Sequence, residues 1–301
     1  MAIPRSGEQF AEVGGGIELC YQTIGEPERP PVVLIMGVGS QMLAWPDGFC
    51  DLLAARGAFV IRLDNRDSGR STWLDRLGVP SVTKAWRGEL DDPPYLLSDM
   101  AGDVSGLVAA LGYDAVHVVG ASLGGFVAQT LAIEHPDRVL SLASIMSSTG
   151  SGKVGLPTQE AMEVLMTRPR PDLQGYLDGV VAARRVIGSP GFPLEEGWLR
   201  EVFTRMHGRG INAEGTQRQL VASICSGNRT ERLHDLEVPT VVIHGTEDKL
   251  IGVSGGEATA AAIPDAELVL IAGMGHDLPE GAWLPITEAL VRNFERARSK
   301  F

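Results

Sequence analysis

Short apolar runs, separated by turn residues and by longer helix-spaced stretches, set the rhythm of this chain. The runs are IELCYQTI (17–24), VVLIMG (32–37), FVIRLD (59–64), AVHVVG (115–120), VLSLASIM (139–146), TVVIHG (240–245) and ELVLIAG (267–273). Most are apolar at consecutive positions, the pattern of parallel strands covered by helices on both faces. The first alternates more and reads as an antiparallel edge strand. Helical spacing occupies 48–56, 98–111, 124–135, 255–262 and 283–298, with Ser98 or Asp99 as N-cap of the second. Alternation of this kind predicts an α/β fold built on a doubly wound, mostly parallel sheet.

The alternation breaks once. From Thr149 to Leu236 no strand pattern is present, and Met, Trp and Arg recur at helical spacings punctuated by RPRP (168–171) and GSPGFP (188–193). An insertion that leaves the end of a strand lies over the carboxyl edge of the sheet, where open α/β folds bind ligands. The expected division is a core of 1–148 and 237–301 with a helical cap, or lid, at 149–236. The stretch is small for an independent domain.

Composition narrows the class. With 44% hydrophobic and 21% charged residues this is ordinary globular material, and a net charge of −12 argues against a nucleic-acid partner. Cys20, Cys50 and Cys225 are odd in number and far apart, which fits reduced cytoplasmic thiols and implies neither a disulfide framework nor a zinc site. The first residues, MAIPRSGEQFAEVGGG, lack the apolar core of a signal peptide, and no run approaches the ~20 residues of a membrane span. A soluble cytoplasmic protein without cofactor or metal is expected. Its oligomeric state is open.

Two stretches carry the pattern G-x-S-x-G: Gly120 to Gly124 around Ser122, and Gly252 to Gly256 around Ser254. In a chain with 37 glycines, chance alone supplies about 0.3 such matches, so context must choose. A nucleophile elbow needs a buried strand running straight into the serine and a helix leaving at once. Ser122 has AVHVV before it and GGFVAQTLAIEH after it. Ser254 follows its strand only after a polar loop and fits the N-terminus of the next helix, so it reads as the decoy.

A serine hydroxyl needs a base, and the base needs an orienting acid. Of six histidines, His276 alone sits in a Gly-flanked loop (GMGHDLP) directly beyond the last strand, at the edge shared with Ser122. The loop after 240–245 offers both Glu247 and Asp248, which spacing barely separates, and Asp277 beside His276 is a further rival. For a developing oxyanion, the N–H of Leu123 and an N–H of MGVGSQ, that of Val38, are the candidate donors. RLDNRDSGRST (62–72) reads as a charge-paired loop bracing the sheet edge. Trp45, Trp198, Trp283 and Met162, Met166 and Met206 are candidates for an apolar pocket, although core packing is the commoner fate of such residues.

In order along the chain stand IMGVG, RLDNRDSGRS, VVGASLGG, EHPDRV, VPTVVIHGTEDKL and GMGHDLP. Together they resemble the α/β-hydrolase superfamily, and within it a bacterial subgroup of aclacinomycin methylesterase-like and lipase/esterase proteins. The resemblance implies a serine hydrolase acting on a small-molecule carboxylic ester through an acyl-enzyme. It implies Asp248, ahead of Glu247, as the acid of a Ser122–Asp248–His276 triad. Met36 stands where many members have histidine, which leaves a backbone N–H donor unaffected. Lactonase, thioesterase, perhydrolase and carbon–carbon bond hydrolase chemistry share this machinery, as does a non-catalytic binding homologue.

Overall fold

The computed structural model describes residues 3–298, so the ends of the expected core, 1–2 and 299–301, lie outside the described residues. Eight strands form one sheet: β1 (Gln9–Gly14), β2 (Ile17–Ile24), β3 (Pro31–Ile35), β4 (Phe59–Leu63), β5 (Val116–Ala121), β6 (Val139–Ile145), β7 (Thr240–Gly245) and β8 (Glu267–Ile271). Their order is β1-β2-β4-β3-β5-β6-β7-β8. From β4 to β8 all pairings are parallel, with Val32 opposite His117, Val118 opposite Leu142 and Val242 opposite Leu268.

The consecutive apolar residues have two destinations. Val33 and Ile35 of β3, with Val116 and Val118 of β5, face one core together with α3 (Leu97–Ala110) and α4 (Leu123–Glu134). Val32 and Leu34, with Val119 and Ala121, face a second core beneath α1 (Asp47–Ala55) and α11 (Glu280–Arg298). Residues of period two thus fill two opposite cores, and the run shows no polar face. A short α2 (Val82–Trp86) precedes α3, and α10 (Ser254–Ala262) follows β7.

Three expectations are corrected. Strand 17–24 is antiparallel to both its neighbours, but β1 lies outside it and forms the edge. β1 escapes the apolar pattern because it is mostly exposed, Phe10 included. The N-cap of α3 is Leu96, not Ser98 or Asp99; the Asp99 carboxylate, one turn in, accepts the Leu96 N–H at 2.8 Å. The 62–72 loop is charge-paired, but its partners reach beyond the sheet edge: Arg62 binds Asp47 of α1, and Arg70 binds Glu8 ahead of β1. Arg66 binds Asp103 of α3 at 2.6 Å, and Asp64 and Asp67 bind arginines from the segment between β6 and β7.

That segment is helical among its described residues: α5 (Gln159–Met166), α6 (Leu173–Ile187), α7 (Glu196–Arg209), α8 (Ala213–Cys225) and α9 (Thr230–Leu233). RPRP separates α5 from α6, and GSPGFP separates α6 from α7. Buried ion pairs hold it to the loop after β4. Arg209 reaches Asp64 at 2.7 Å, and Arg218 reaches Asp67 at 2.7 Å with both side chains fully buried. Removing either partner alone would leave an uncompensated charge in the interior. Cys20, Cys50 and Cys225 are free thiols; burial, aided at Cys20 by the Asp64 charge, pushes Cys20 up to about 12, and burial pushes Cys50 up to about 11.

Candidate active site

β5 delivers Ser122 to the carboxyl edge of the sheet. The strand is buried along its length and ends at Ala121, and α4 begins at Leu123, so Ser122 alone makes the turn. Its backbone stands at φ 56°, ψ −122°, a strained conformation for any residue with a side chain. Close packing demands glycine on either side. A Cβ on Gly120 would lie 2.0 Å from the Gly124 carbonyl, and one on Gly124 would lie 2.0 Å from the Ile35 carbonyl. The tight turn is locked by the Ser122 N–H donating to Ile145 at 2.9 Å.

His276 lies in the loop between β8 and α11. Its Nε2 is 2.9 Å from Ser122 Oγ and its Nδ1 is 2.7 Å from Asp248 Oδ2. The Asp248 carboxylate has no proton to give, so Nδ1–H is the donor to it and Nε2 is left to accept the serine hydroxyl. The other oxygen, Oδ1, accepts the N–H groups of Leu250 and Ile251, both at 2.9 Å. Burial works to raise the Asp248 pKa. The charge and hydrogen bond of His276, with the Ile251 N–H, outweigh it and hold the carboxyl below its ordinary value. The His276 N–H donates to Ile187 at the end of α6, 2.7 Å away, which pins the loop.

The structure brings Ser122, Asp248 and His276 together, and no rival joins their chain of hydrogen bonds, although His244 Nε2 stands 3.6 Å from Asp248 Oδ2. Glu247 is exposed. Asp277 accepts the Ser189 hydroxyl and sits 3.5 Å from the Arg184 guanidinium. His244 is buried with Nε2 on the Ile251 carbonyl, and His117 with Nδ1 on the Ser141 hydroxyl. Ser254 is exposed at the first residue of α10, where its hydroxyl accepts the Gly155 N–H at 3.0 Å.

Beside Ser122 run the residues of MGVGSQ. A Cβ on Gly37 would stand 3.1 Å from the Ser122 Cβ, so this loop rests against the nucleophile candidate. Val38 lines the adjoining cavity, and its N–H makes no hydrogen bond among the described residues. The N–H of Leu123, first in α4, has no acceptor within its helix and lies at the positive end of the helix dipole. Both N–H groups, on the two segments that meet at Ser122, are thus without an acceptor among the described residues.

The cavity is about 280 Å³, walled by Met36, Val38, Met146, Leu165, Ile187 and Phe203 with Ser122 and His276 at its floor. Arg184 of α6 is the one lysine or arginine in its wall; burial lowers its pKa, Asp277 opposes that, and its Nη1 donates to the His276 carbonyl at 3.3 Å. Of the apolar candidates named from sequence, Trp45 and Met206 are core, while Trp198 and Trp283 line a neighbouring cavity of about 170 Å³. Sequence reasoning missed Arg184; a polar residue on an unplaced helix carries no local signal that it lines a cavity. No cluster of His, Cys, Asp and Glu among the described residues could hold a metal ion. No helix among them is long and apolar enough to cross a membrane.

The profile of the α/β hydrolase fold matches residues 30–189, more than half of the chain. This chain belongs to the α/β-hydrolase family and is an enzyme of that family. It is similar to rhodomycin D methylesterase DauP of a Streptomyces species, 28% identical over 91% of this chain and 94% of that protein. It is also similar to the 2-hydroxy-6-oxononadienedioate/2-hydroxy-6-oxononatrienedioate hydrolase of Paraburkholderia xenovorans, 27% identical over 89% of this chain and 87% of that protein. The solved 2-hydroxy-6-oxo-6-phenylhexa-2,4-dienoate hydrolase of a Rhodococcus species superimposes with a TM-score of 0.74, 21% identity, covering 98% of this chain and all of that one. That likeness speaks for the fold.

Proposed function

We propose that the chain is a serine hydrolase that cleaves a carboxylic ester of a small apolar molecule through an acyl-enzyme. The observation that carries this reading is the unbroken chain of hydrogen bonds from Ser122 to His276 to Asp248, at 2.9 and 2.7 Å, on a strained serine beside an apolar cavity. Ser122 Oγ attacks the ester carbonyl while Nε2 of His276 takes its proton, and Asp248 steadies the imidazolium. The carbonyl oxygen gains the negative charge and lies between the N–H groups of Val38 and Leu123. Collapse expels the alcohol with the proton from His276, leaving Ser122 acylated. Water then repeats the sequence, with His276 as base, and releases the acid. Residues 149–236 serve as the cap whose helices close the cavity. The name of the Streptomyces relative, a methylesterase, favours an ester among the bonds this machinery breaks.

A second reading is hydrolysis of a carbon–carbon bond. It is favoured by the Paraburkholderia relative, whose named dienedioate substrate holds no ester. One experiment separates the two and tests both against a non-catalytic binding protein. A fluorophosphonate is expected to label the wild type at Ser122, and short p-nitrophenyl esters are expected to be turned over. Ser122→Ala abolishes the labelling and lowers turnover by at least about a thousandfold. Labelling and turnover that survive in the variant sink the mechanism. Labelling of the wild type without ester turnover favours the carbon–carbon reading.

A further inference from the structure

Gln219 joins the cap to the loop beside Ser122. It stands on α8 with no exposed surface, and every polar group of its amide is committed. Oε1 accepts the Gly39 N–H at 2.8 Å, while Nε2 donates to the Arg66 carbonyl at 2.7 Å and the Ser68 hydroxyl at 3.0 Å. These partners fix the amide's orientation, because a flipped amide would set its NH₂ against the Gly39 N–H. One turn earlier on the same helix, Thr216 lies 2.6 Å from where a Cβ on Gly39 would stand, and Gly39 holds a left-handed φ of 64°. The Ser40 N–H closes the turn on Gly37 at 3.2 Å. The turn that carries Val38 is thus braced by its own hydrogen bond, by contact with Thr216 and by Gln219.

We propose that Gln219 is a positioning residue for catalysis: from the cap, it sets the oxyanion hole. By holding the Gly39 N–H it fixes the peptide that follows Val38. It also removes the neighbouring N–H from competition, so that Val38 presents the free donor to the cavity. Its two other bonds anchor this brace to the loop after β4, the loop that Arg209 and Arg218 tie to the cap. Preorganised donors stabilise the transition state because they need no reorganisation when charge develops, and a small misplacement forfeits much of that. The inference rests on the reading of Val38 as an oxyanion donor and assigns to the cap a part in rate as well as in substrate fit.

The test compares wild type, Gln219→Met and Gln219→Glu in hydrolysis of a p-nitrophenyl ester and in binding of an arylboronic acid, whose anionic tetrahedral serine adduct places a boronate hydroxyl in the oxyanion hole. Gln219→Met is expected to lower kcat about tenfold or more, keep KM within about twofold, and weaken boronate binding by a similar factor. Gln219→Glu keeps an acceptor for Gly39, and when protonated it also donates to Arg66, so its kcat relative to wild type rises as the pH falls from 8 to 6. If the methionine variant does not fold, the glutamate variant decides alone by the same comparison of kcat with boronate affinity. A kcat within twofold of wild type, for Gln219→Met or for Gln219→Glu at pH 8, overturns the inference, as does a loss carried wholly by KM or a fall in kcat with boronate binding unchanged. A wild type that neither turns over ester nor takes the fluorophosphonate overturns both this inference and the esterase reading; an active wild type with an indifferent Gln219 overturns this one alone.

Discussion

Ser122 and Ser254 share one spelling and almost nothing else. A buried strand runs into Ser122 with no intervening residue, whereas eight residues separate the end of β7 from Ser254. The glycines around Ser122 are dictated by backbone against backbone, at 2.0 Å on both sides. Around the second serine, a Cβ on Gly252 would meet only ordinary contact, at 3.4 Å, and Gly256 is required by the ring of His244. Ser122 is buried and strained; Ser254 is exposed and begins a helix in ordinary geometry. The difference teaches that the pattern follows from one crowded turn in the first case and from unrelated local requirements in the second. What a nucleophile requires is the crowding that forces the turn and a base within reach.

The largest effect that can break this comparison lies at the acid. Asp248→Asn keeps the size of the side chain and an oxygen for the N–H groups of Leu250 and Ile251. It replaces the carboxylate that receives Nδ1–H of His276. The imidazole then loses its reason to leave Nε2 free for the serine hydroxyl, and kcat is expected to fall by about 10⁴ with little change in unfolding midpoint. A variant with more than a tenth of wild-type kcat would remove Asp248 from the chain and reduce Ser122 to a strained serine beside a histidine.

The strands that precede the two motifs offer a smaller test, since β5 and β7 each bury a histidine. Burial lowers both, and His117 falls to about 4 from an ordinary 6.5, with the Arg298 charge adding to the effect. Between those values the unfolded chain binds a proton that the folded chain refuses, so His117 makes stability fall as pH drops from about 6.5 towards 4. The full shift corresponds to about 3 kcal/mol. Chemical denaturation of wild type and His117→Gln across this range measures it. The difference between the two proteins is expected to drift by about that amount in favour of the variant as pH falls, and a constant difference would mean the strand beneath Ser122 is wetter than its packing implies.

What could be read from the chain follows from how local each cause is. The parallel strands were legible because burial on both faces writes an unbroken apolar run, as in Val32–Ile35; β1 was not, because an edge strand with Phe10 in solvent writes none. Ser122 was legible because strand, turn and helix are contiguous. The choice between Glu247 and Asp248 was not, since the two differ only in which one the folded loop turns inwards, and a loop has no periodicity to reveal that. Gln219 acts on a residue 180 positions away, so nothing in its own neighbourhood announces it. The 62–72 loop showed its charges but not their partners, Arg209 and Arg218, for the same reason.

The smallest expected effect is the sharpest statement about the second motif. Ser254→Ala removes one hydroxyl at the surface, which accepts the Gly155 N–H at 3.0 Å, and water can replace an acceptor there. A single exposed hydrogen bond contributes about 1 kcal/mol at most, so the unfolding free energy is expected to drop by no more than that. Hydrolytic turnover should stay within about twofold of wild type, because neither His276 nor Asp248 contacts Ser254. The measurement is most informative in the Ser122→Ala background. If residual hydrolysis there disappears on adding Ser254→Ala, the second serine has been acting as a nucleophile. Unchanged background hydrolysis in the double variant instead leaves the buried turn and its two partners as the whole of what separates a nucleophile from three matching letters.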